Sequence, residues 1–501
     1  MAYTEALAVS YDHPFTVIIG LETHVQLLTE SKLFCRCSTT FGEPPNTQTC
    51  PVCTGSPGAL PVMNAEAFRL SVKTAVALNC RIPEFTKWDR KQYYYPDLPK
   101  GYQISQFDLP MSEDGWLEIA DPLNPDDVRR IGIIRAHLEE DAGKSMHDEA
   151  AGKSDTRIDL NRTGTPLLEI VTQPDLRSAA EAKAYLTELK LLLMYLGVSD
   201  CNMQEGSLRV DANVNLHIET DGGKIATPIV EVKNLNSFRA VERALTYEVD
   251  RQYHEWCDTG RKLGDPGVSK QTSGWDDAAQ RTRLQRSKEE SSDYRYFPDP
   301  DLVPVVVSPE EVEAVRQALG ELPAALRSRL ESQYELKAYD ADVIVNQGRA
   351  VVDYYETLAA ASGDPRRASN WLQQDVLRTL NEMSLTIEQF PLTAAGLGEL
   401  LKLVEQGDLD NTKAKDVFAH MLAHGESAAQ AMKSLGIEQV DDSALETLCQ
   451  ELLDANPKTI ADVQAGKMQA VGALIGQAKK KNPNVNPADV KRICLELIAR
   501  M

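Results

Sequence analysis

Four of the nine cysteines fall within nineteen residues, in CRCSTTFGEPPNTQTCPVC: Cys35-x-Cys37, a gap of twelve residues, then Cys50-x-x-Cys53. Thiolates in two close pairs can complete a tetrahedral S4 shell around Zn²⁺, with Pro51 and Gly55 shaping the second turn. Four sulfurs leave no vacancy for water or substrate, so a zinc held here is structural. Its expected job is to pin the segment just after GLETH and hold Glu22 and His24 in place. Reduced thiols without metal are the plain alternative, because the first pair is C-x-C. The other five cysteines (Cys80, Cys201, Cys257, Cys449, Cys494) are scattered singly. That pattern, with an odd total, speaks against a disulfide scaffold.

A second set of residues is acidic. Glu22 and His24 in GLETHVQL have period-two spacing, which on a strand puts both on one face. RAHLEEDAGK supplies Glu139, Glu140 and Asp141, LRVDANVNL supplies Asp211, and IVEVKNLNS supplies Glu231. Each sits in an apolar or β-like context, where an unpaired carboxylate is costly to bury. Converging on one cavity, they would suit hard cations such as Mg²⁺. The competing reading is a polar edge for Glu22 and His24 and solvated charge for Glu140 and Asp141; Asp211 and Glu231 stand out most. No phosphate loop of the G-x-x-x-x-G-K-[ST] type, no G-x-G-x-x-G after a strand and no G-x-S-x-G occurs, so any ATP binds in another mode. Arg162-Thr163-Gly164 is a weak anion signal. RSKEESSDYRYFPDPDL reads either as an ordered functional loop or as an exposed linker. His24 is the one well-placed imidazole, which disfavours a zinc hydrolase.

The elements that must position these groups are legible in outline. FTVIIGLETHVQLL and SLRVDANVNLHIE read as strands, and KIATPIVEVKNL as another after the turn in TDGGK. SAAEAKAYLTELKLLLMYLG reads as a helix capped by Ser178 and ended by Gly197. The order is not a βαβ alternation, so a mixed, mainly antiparallel sheet with flanking helices is expected, an α+β class. Past residue 306 the chain turns Ala/Leu/Glu-rich and helical, with a further boundary near 428. The expected domains are therefore 1–306, 307–428 and 429–501.

The net charge of −22 argues against nonspecific binding to DNA or RNA. From Lys458 onward, however, eight Lys/Arg face three Asp/Glu, a balance of +5 that suits either a folded RNA or a solvated helix face. No stretch approaches eighteen apolar residues, and MAYTEALAVSYDHPF lacks a basic segment followed by an apolar core. A membrane or secretory reading is therefore unsupported, and the cytosol is the expected place.

GLETHVQL, the cysteine quartet, YYYPDLPKGYQISQ, HLEEDAGK, DLNRTGTPLLEIV, VEVKNLNS and DYRYFPDPDL together resemble the GatB family of tRNA-dependent amidotransferases. The likeness runs in order from about residue 15 to 305, and VGALIGQAKKKNPNVNPADV resembles the family's YqeY-like tail. The resemblance implies a β cradle domain, a helical domain and a small helical tail that touches tRNA. It implies a heterotrimer in which this chain joins an amidase and a small third protein, with a mischarged tRNA as substrate. ATP would phosphorylate the side chain of Glu on tRNA-Gln or Asp on tRNA-Asn, and ammonia from the amidase would displace phosphate. By the same resemblance Glu22, His24, Glu139, Asp211 and Glu231 form the Mg²⁺/ATP site, with Glu139 preferred over Glu140. Cys35, Cys37, Cys50 and Cys53 would hold zinc, and Lys91 and Lys100 would lie near the ammonia route or the anionic substrate. A non-catalytic tRNA-binding scaffold is the alternative. The acids on strand faces count against it, since an RNA-binding face favours Lys and Arg.

Overall fold

The computed structural model describes residues 11–124, 127–147, 155–287, 294–437, 442–465, 467–482 and 484–500. The chain forms two compact units, Met1–Leu322 and Pro323–Met501. The first unit begins with β1 (Phe15–Gln26), α1 (Ala65–Ala77), β2 (Phe85–Thr86), β3 (Asp89–Gln92), β4 (Tyr102–Ser105), β5 (Gly115–Ala120) and β6 (Val128–Glu140). There follow β7 (Lys144–His147), β8 (Thr156–Asp159), β9 (Pro166–Thr172), α2 (Ala179–Leu196), β10 (Leu208–Thr220), β11 (Gly223–Ala226) and β12 (Val230–Lys233). It closes with α3 (Phe238–Thr259), β13 (Gln271–Asp276), β14 (Arg281–Ser287), β15 (Phe297–Pro298), β16 (Val305–Val306) and α4 (Pro309–Ala318).

A nine-stranded sheet dominates this unit, in the order β14-β13-β12-β10-β1-β9-β6-β5 with β11 attached to β10. Its pairings are antiparallel except that of β12 with β13, the mixed and mainly antiparallel sheet that the sequence predicts. Alternation decides its two faces. Ile19, Leu21 and Val25 of β1 are buried with Val210, Ala212 and Val214 of β10 and with Leu168 and Ile170 of β9. The same core takes Phe68 and Val72 of α1, Leu186, Leu189 and Leu193 of α2, and Val241 and Leu245 of α3. Burying each such side chain stabilises by roughly 1.5–3 kcal/mol, so this apolar face holds the sheet and frees the other for chemistry.

Local chemistry explains the element ends. The Ser178 side chain accepts from the Glu181 N–H at 3.1 Å, and Gly197 ends α2 in the left-handed region at φ 65°, as predicted. The predicted strand KIATPIVEVKNL is two strands, β11 and β12, broken at Thr227–Pro228. Proline has no N–H for the ladder, and Thr227 instead exchanges bonds with Leu216 through its backbone N–H and its hydroxyl. Of RSKEESSDYRYFPDPDL, residues 288–293 lie outside the described residues. The remainder is ordered: Phe297–Pro298 pairs with β3, and Asp299 and Asp301 each meet Arg90 at 2.8 Å. α4 opens with a Ser308–Glu311 capping box, and Val312, Val315 and Leu319 pack on the first unit's core.

The second unit is helical from Pro323–Tyr334 to Pro487–Arg500, and no strand occurs among its described residues. Leu445, Cys449, Leu474, Val490 and Cys494 belong to a core of its last part. Lys479, Lys480 and Lys481 occupy the last turn of the helix Gly472–Lys481, where cations offset the helix dipole. Two of the three also face acids, Lys481 with Glu451 at 3.0 Å and Lys479 with Asp410 at 3.8 Å. Among the described residues no helix is long and apolar enough to cross a membrane.

Candidate functional site

The polar face of the large sheet is organised by register. Glu22 stands opposite Asp211 and His24 opposite Arg209 across β1 and β10. His24 also stands opposite Glu169 of β9, and Glu169 opposite His137 of β6. One cross-strand row thus reads His137–Glu169–His24–Arg209, with neighbours about 5 Å apart. Beside it, Asn213 of β10 faces Glu231 of β12. A cavity of about 400 Å³ opens here, and its walls include His24, Lys91, Glu139, Arg209, Asp211 and Lys233.

The five residues predicted as one acidic set all lie on this face, but they divide into two groups. His24 and Glu139 join Glu169, and Glu22, Asp211 and Glu231 form the other group; in each, ligand atoms lie within 4.8 Å of one another. Along β1 the two groups are about 7 Å apart, the two-residue strand repeat. Sequence reasoning missed Glu169. Its signal was a lone carboxylate in the apolar run PLLEIVT, the criterion that singles out Asp211 and Glu231.

The first group is buried and strongly coupled. His24 lies 3.6 Å from Glu169, and His137 lies 3.4 Å from Glu169 and 3.8 Å from Glu139. Burial disfavours the His24 imidazolium, yet its hydrogen bond to Glu169 and the charges of Glu169 and Glu139 raise its pKa to about 9. Burial alone dominates at His137 and lowers it to about 4, so that ring is neutral. Burial and the Glu169 charge push Glu139 up to about 7, against the pull of Lys91. Glu169 is held well below the usual carboxylate range despite its burial, because the flanking imidazoles and Lys91 favour its anion. Carboxylates and imidazoles displaced from one another in this way mark a site poised to bind a cation or move a proton.

In the second group Asn213 Nδ2 donates to Glu22 at 2.9 Å, and the Thr272 hydroxyl donates to Glu231 at 3.0 Å. The Lys233 ammonium lies 2.5 Å from Asp211 and 3.3 Å from Glu231. Burial works against that ammonium, but the two carboxylates raise its pKa above the ordinary value. Positive charge therefore sits among the three acids, at the edge of the same cavity.

The neighbouring acids have other partners. Glu140 faces away from the group that holds Glu139, accepting from the Ile104 N–H at 2.9 Å and from the Lys100 ammonium. Asp141 accepts from Gln26 and Arg209, each at 2.7 Å, and Arg162 lies 3.5 Å away. Those two guanidinium groups hold its carboxyl below the ordinary range against the effect of burial. Of the two lysines singled out by sequence, Lys91 lines the cavity, while Lys100 is held by Glu140. Lys100→Met leaves a buried carboxylate unpaired. It is expected to lower unfolding free energy by about 3 kcal/mol in urea titrations, with Lys100→Met/Glu140→Gln recovering most of the loss. A loss below about 0.5 kcal/mol would show that the pair behaves as a surface one.

The four cysteines also come together, with their sulfurs within 4.8 Å of one another. A tetrahedral zinc with Zn–S of about 2.3 Å spaces its sulfurs about 3.8 Å apart, and Cys50 and Cys53 stand at 3.9 Å. The Cys50 N–H donates to Cys53 Sγ at 3.2 Å, and Gly55 turns the chain at φ 71°, where a Cβ would lie 2.6 Å from the Lys100 side chain. The residues present therefore fit a structural zinc. This loop holds the segment just after β1, where the Lys32 N–H donates to the Cys37 carbonyl at 3.0 Å and the Thr39 hydroxyl donates to the Thr29 carbonyl. It also bonds to residues 158–164: Gln48 N–H to Asn161 Oδ1 at 2.9 Å, Asn46 Nδ2 to the Ile158 carbonyl at 2.9 Å, and Leu33 N–H to the Gly164 carbonyl at 2.8 Å. Arg162 of that loop is the one that reaches Asp141 at the cavity.

Against known families, the GatB/GatE catalytic domain matches residues 17–313, and the GatB domain matches residues 353–498. The chain belongs to the GatB/GatE family. It is 65% identical over 496 residues to the B chain of the aspartyl/glutamyl-tRNA(Asn/Gln) amidotransferase of Rhodopirellula baltica, covering 99% of both proteins. It is 46% identical over 485 residues to the protein of the same name from Moorella thermoacetica, covering 96% of this chain and 99% of that one. With the Carboxydothermus hydrogenoformans protein of that name identity is 43% over 490 residues. The GatB/GatE catalytic match spans every residue placed above in the two acidic groups, the cavity wall and the cysteine cluster.

Proposed function

We propose that this chain is the component of a tRNA-dependent amidotransferase that activates and amidates the amino acid on mischarged tRNA. The observation that carries this reading is the polar sheet face that bears both acidic groups, beside a cavity whose wall takes His24, Glu139 and Asp211 from them together with Lys91, Arg209 and Lys233. A side-chain carboxylate is a poor acyl donor. ATP makes it a good one: a carboxylate oxygen attacks the γ-phosphorus, the bond to ADP breaks, and an acyl phosphate forms. Ammonia then attacks the carbonyl carbon, the bond to phosphate breaks, and the nitrogen gives up a proton to leave the amide.

Magnesium, when bound, neutralises phosphate charge. Glu22, Asp211 and Glu231 would hold one such ion, and His24, Glu139 and Glu169 offer a second place. Lys91, Arg209 and Lys233 would orient the anionic groups of ATP and substrate, and Cys35, Cys37, Cys50 and Cys53 would hold a structural zinc. The relatives' printed names support a tRNA substrate and companion proteins; an amidase would supply the ammonia and a small third protein would complete a heterotrimer in the cytosol. In this reading residues 1–306 carry the chemistry, and the tail, 429–501, meets the tRNA beyond a helical domain, 307–428. A scaffold without catalysis is disfavoured, because two groups of carboxylates converge on strands of one face, where an RNA-binding face would favour Lys and Arg.

The test is to incubate the reconstituted complex with glutamine, ATP and each of Glu-tRNA-Gln and Asp-tRNA-Asn, and to identify the amide formed. ATP-dependent production of Gln-tRNA or Asn-tRNA supports the reading. Amide formation that persists without ATP would overturn it.

A further inference from the structure

Lys32 is among the largest fully buried side chains of the chain, at 0% exposure. An ammonium so placed needs three acceptors and a compensating anion, since an isolated buried charge is prohibitively costly. The three acceptors are present: the Gln48 carbonyl at 2.7 Å, the Leu160 carbonyl at 3.4 Å and Cys53 Sγ at 3.7 Å. Among the described residues no carboxylate forms an ion pair with it. Glu140, which like the Lys32 stem borders Gly164, is paired with Lys100. The anion facing Lys32 is therefore sulfur, and Cys53 is the most buried of the four cysteines.

We propose that Lys32 is the built-in counter-cation of the cysteine metal site, donating to Cys53 Sγ and joining that site to the loop 158–164. The inference rests on the reading of the quartet as a zinc site. Four thiolates around Zn²⁺ carry a net charge of −2; one ammonium in hydrogen-bond contact brings the unit to −1 within a largely buried setting. The donated N–H draws electron density from the sulfur, which makes that thiolate less prone to attack by protons, oxidants or chelators. The Leu160 carbonyl extends the contact to the loop whose Arg162 reaches Asp141. One side chain thus connects metal occupancy to the cavity wall.

The test uses the full chain and compares wild type with Lys32→Gln and Lys32→Met. Wild type is expected to carry one zinc, and both variants to release it to a chromogenic chelator about tenfold faster. In the cobalt-loaded proteins the thiolate-to-metal charge-transfer band is expected at longer wavelength in Lys32→Met, because sulfur stripped of its donor gives up an electron more easily. Zinc in wild type with unchanged release and an unchanged cobalt band in the variants would overturn the role of Lys32 alone. Absence of zinc and cobalt binding in wild type would overturn the metal reading and this inference with it. A measurement without variants guards against misfolding. Lys32 should resist acetylation in the zinc-bound wild type and become labelled after chelation, as read by mass spectrometry; equal labelling in both states would count against the proposal.

Discussion

Asp211→Ala is expected to reduce ATP-dependent amide formation on mischarged tRNA about 10²–10³-fold, roughly 3–4 kcal/mol of transition-state stabilisation. Asp211 is opposite Glu22 in the β1–β10 register, and with Glu231 the two form a group whose oxygens lie within 4.8 Å. Removing one of three carboxylates lowers the negative charge available to a cation by a third. It also strips Lys233 of its 2.5 Å partner, so the ammonium shifts toward Glu231 and competes there with any incoming ion. Asp211→Asn keeps the shape and the neighbours but not the charge, so it should lose nearly as much as Asp211→Ala. Glu118→Gln, on edge strand β5 where the carboxylate pairs with Arg130 at 3.0 Å and belongs to neither acidic group, should leave turnover unchanged. The loss should fall on amidation while glutamine hydrolysis by the companion amidase continues, so glutamate accumulates without matching amide. Full amide turnover in Asp211→Ala would remove Asp211 from the site.

How far such a site can be read from sequence depends on whether its signal is local. The period-two alternation of GLETHVQL and LRVDANVNL puts Glu22, His24 and Asp211 on polar faces without any tertiary knowledge, and Ser178 and Gly197 mark α2 by capping chemistry alone. The cysteine cluster is legible for the same reason, since both pairs lie in one short loop. What escaped was set by strand neighbours. β9 lies between β1 and β6, so Glu169 meets His24 and His137 from 145 and 32 positions away. No spacing rule brings those residues together. The same holds for the division of the five predicted residues into two groups, which follows from which residues face each other across β1, β6, β9, β10 and β12. Chain adjacency showed only half of what the cysteine loop holds: it bonds back to residues 29–32 just after β1, and also to residues 158–164, more than a hundred positions on. Lys100, which the resemblance puts near the ammonia route or the anionic substrate, is paired with Glu140, and that burial becomes visible only with the packing of β4 on β6.

Divalent-cation affinity at the His24–Glu139–Glu169 group is expected to rise steeply with pH. A cation needs the neutral His24 imidazole and the ionised Glu139 carboxylate, because metal ligands must shed their protons. In the metal-free chain His24 holds its proton up to about pH 9 and Glu139 up to about pH 7. Binding below pH 7 therefore expels two protons, between 7 and 9 one, and above 9 none. Affinity should climb about tenfold per pH unit from 7 to 9, more steeply below 7, and level off above 9. Stability of the metal-free protein should move the other way. The raised folded-state pKa of His24 means that its contribution is complete below the unfolded value of 6.5 and is lost as pH rises through about 9. Bound cation should reverse that loss, since it replaces the proton as the positive charge beside Glu169. Manganese titrations followed by calorimetry from pH 6 to 9.5, on wild type and on His24→Ala, measure the slope directly. Affinity that stays flat over this range, or a slope undiminished in His24→Ala, would show that proton and cation do not compete for this imidazole.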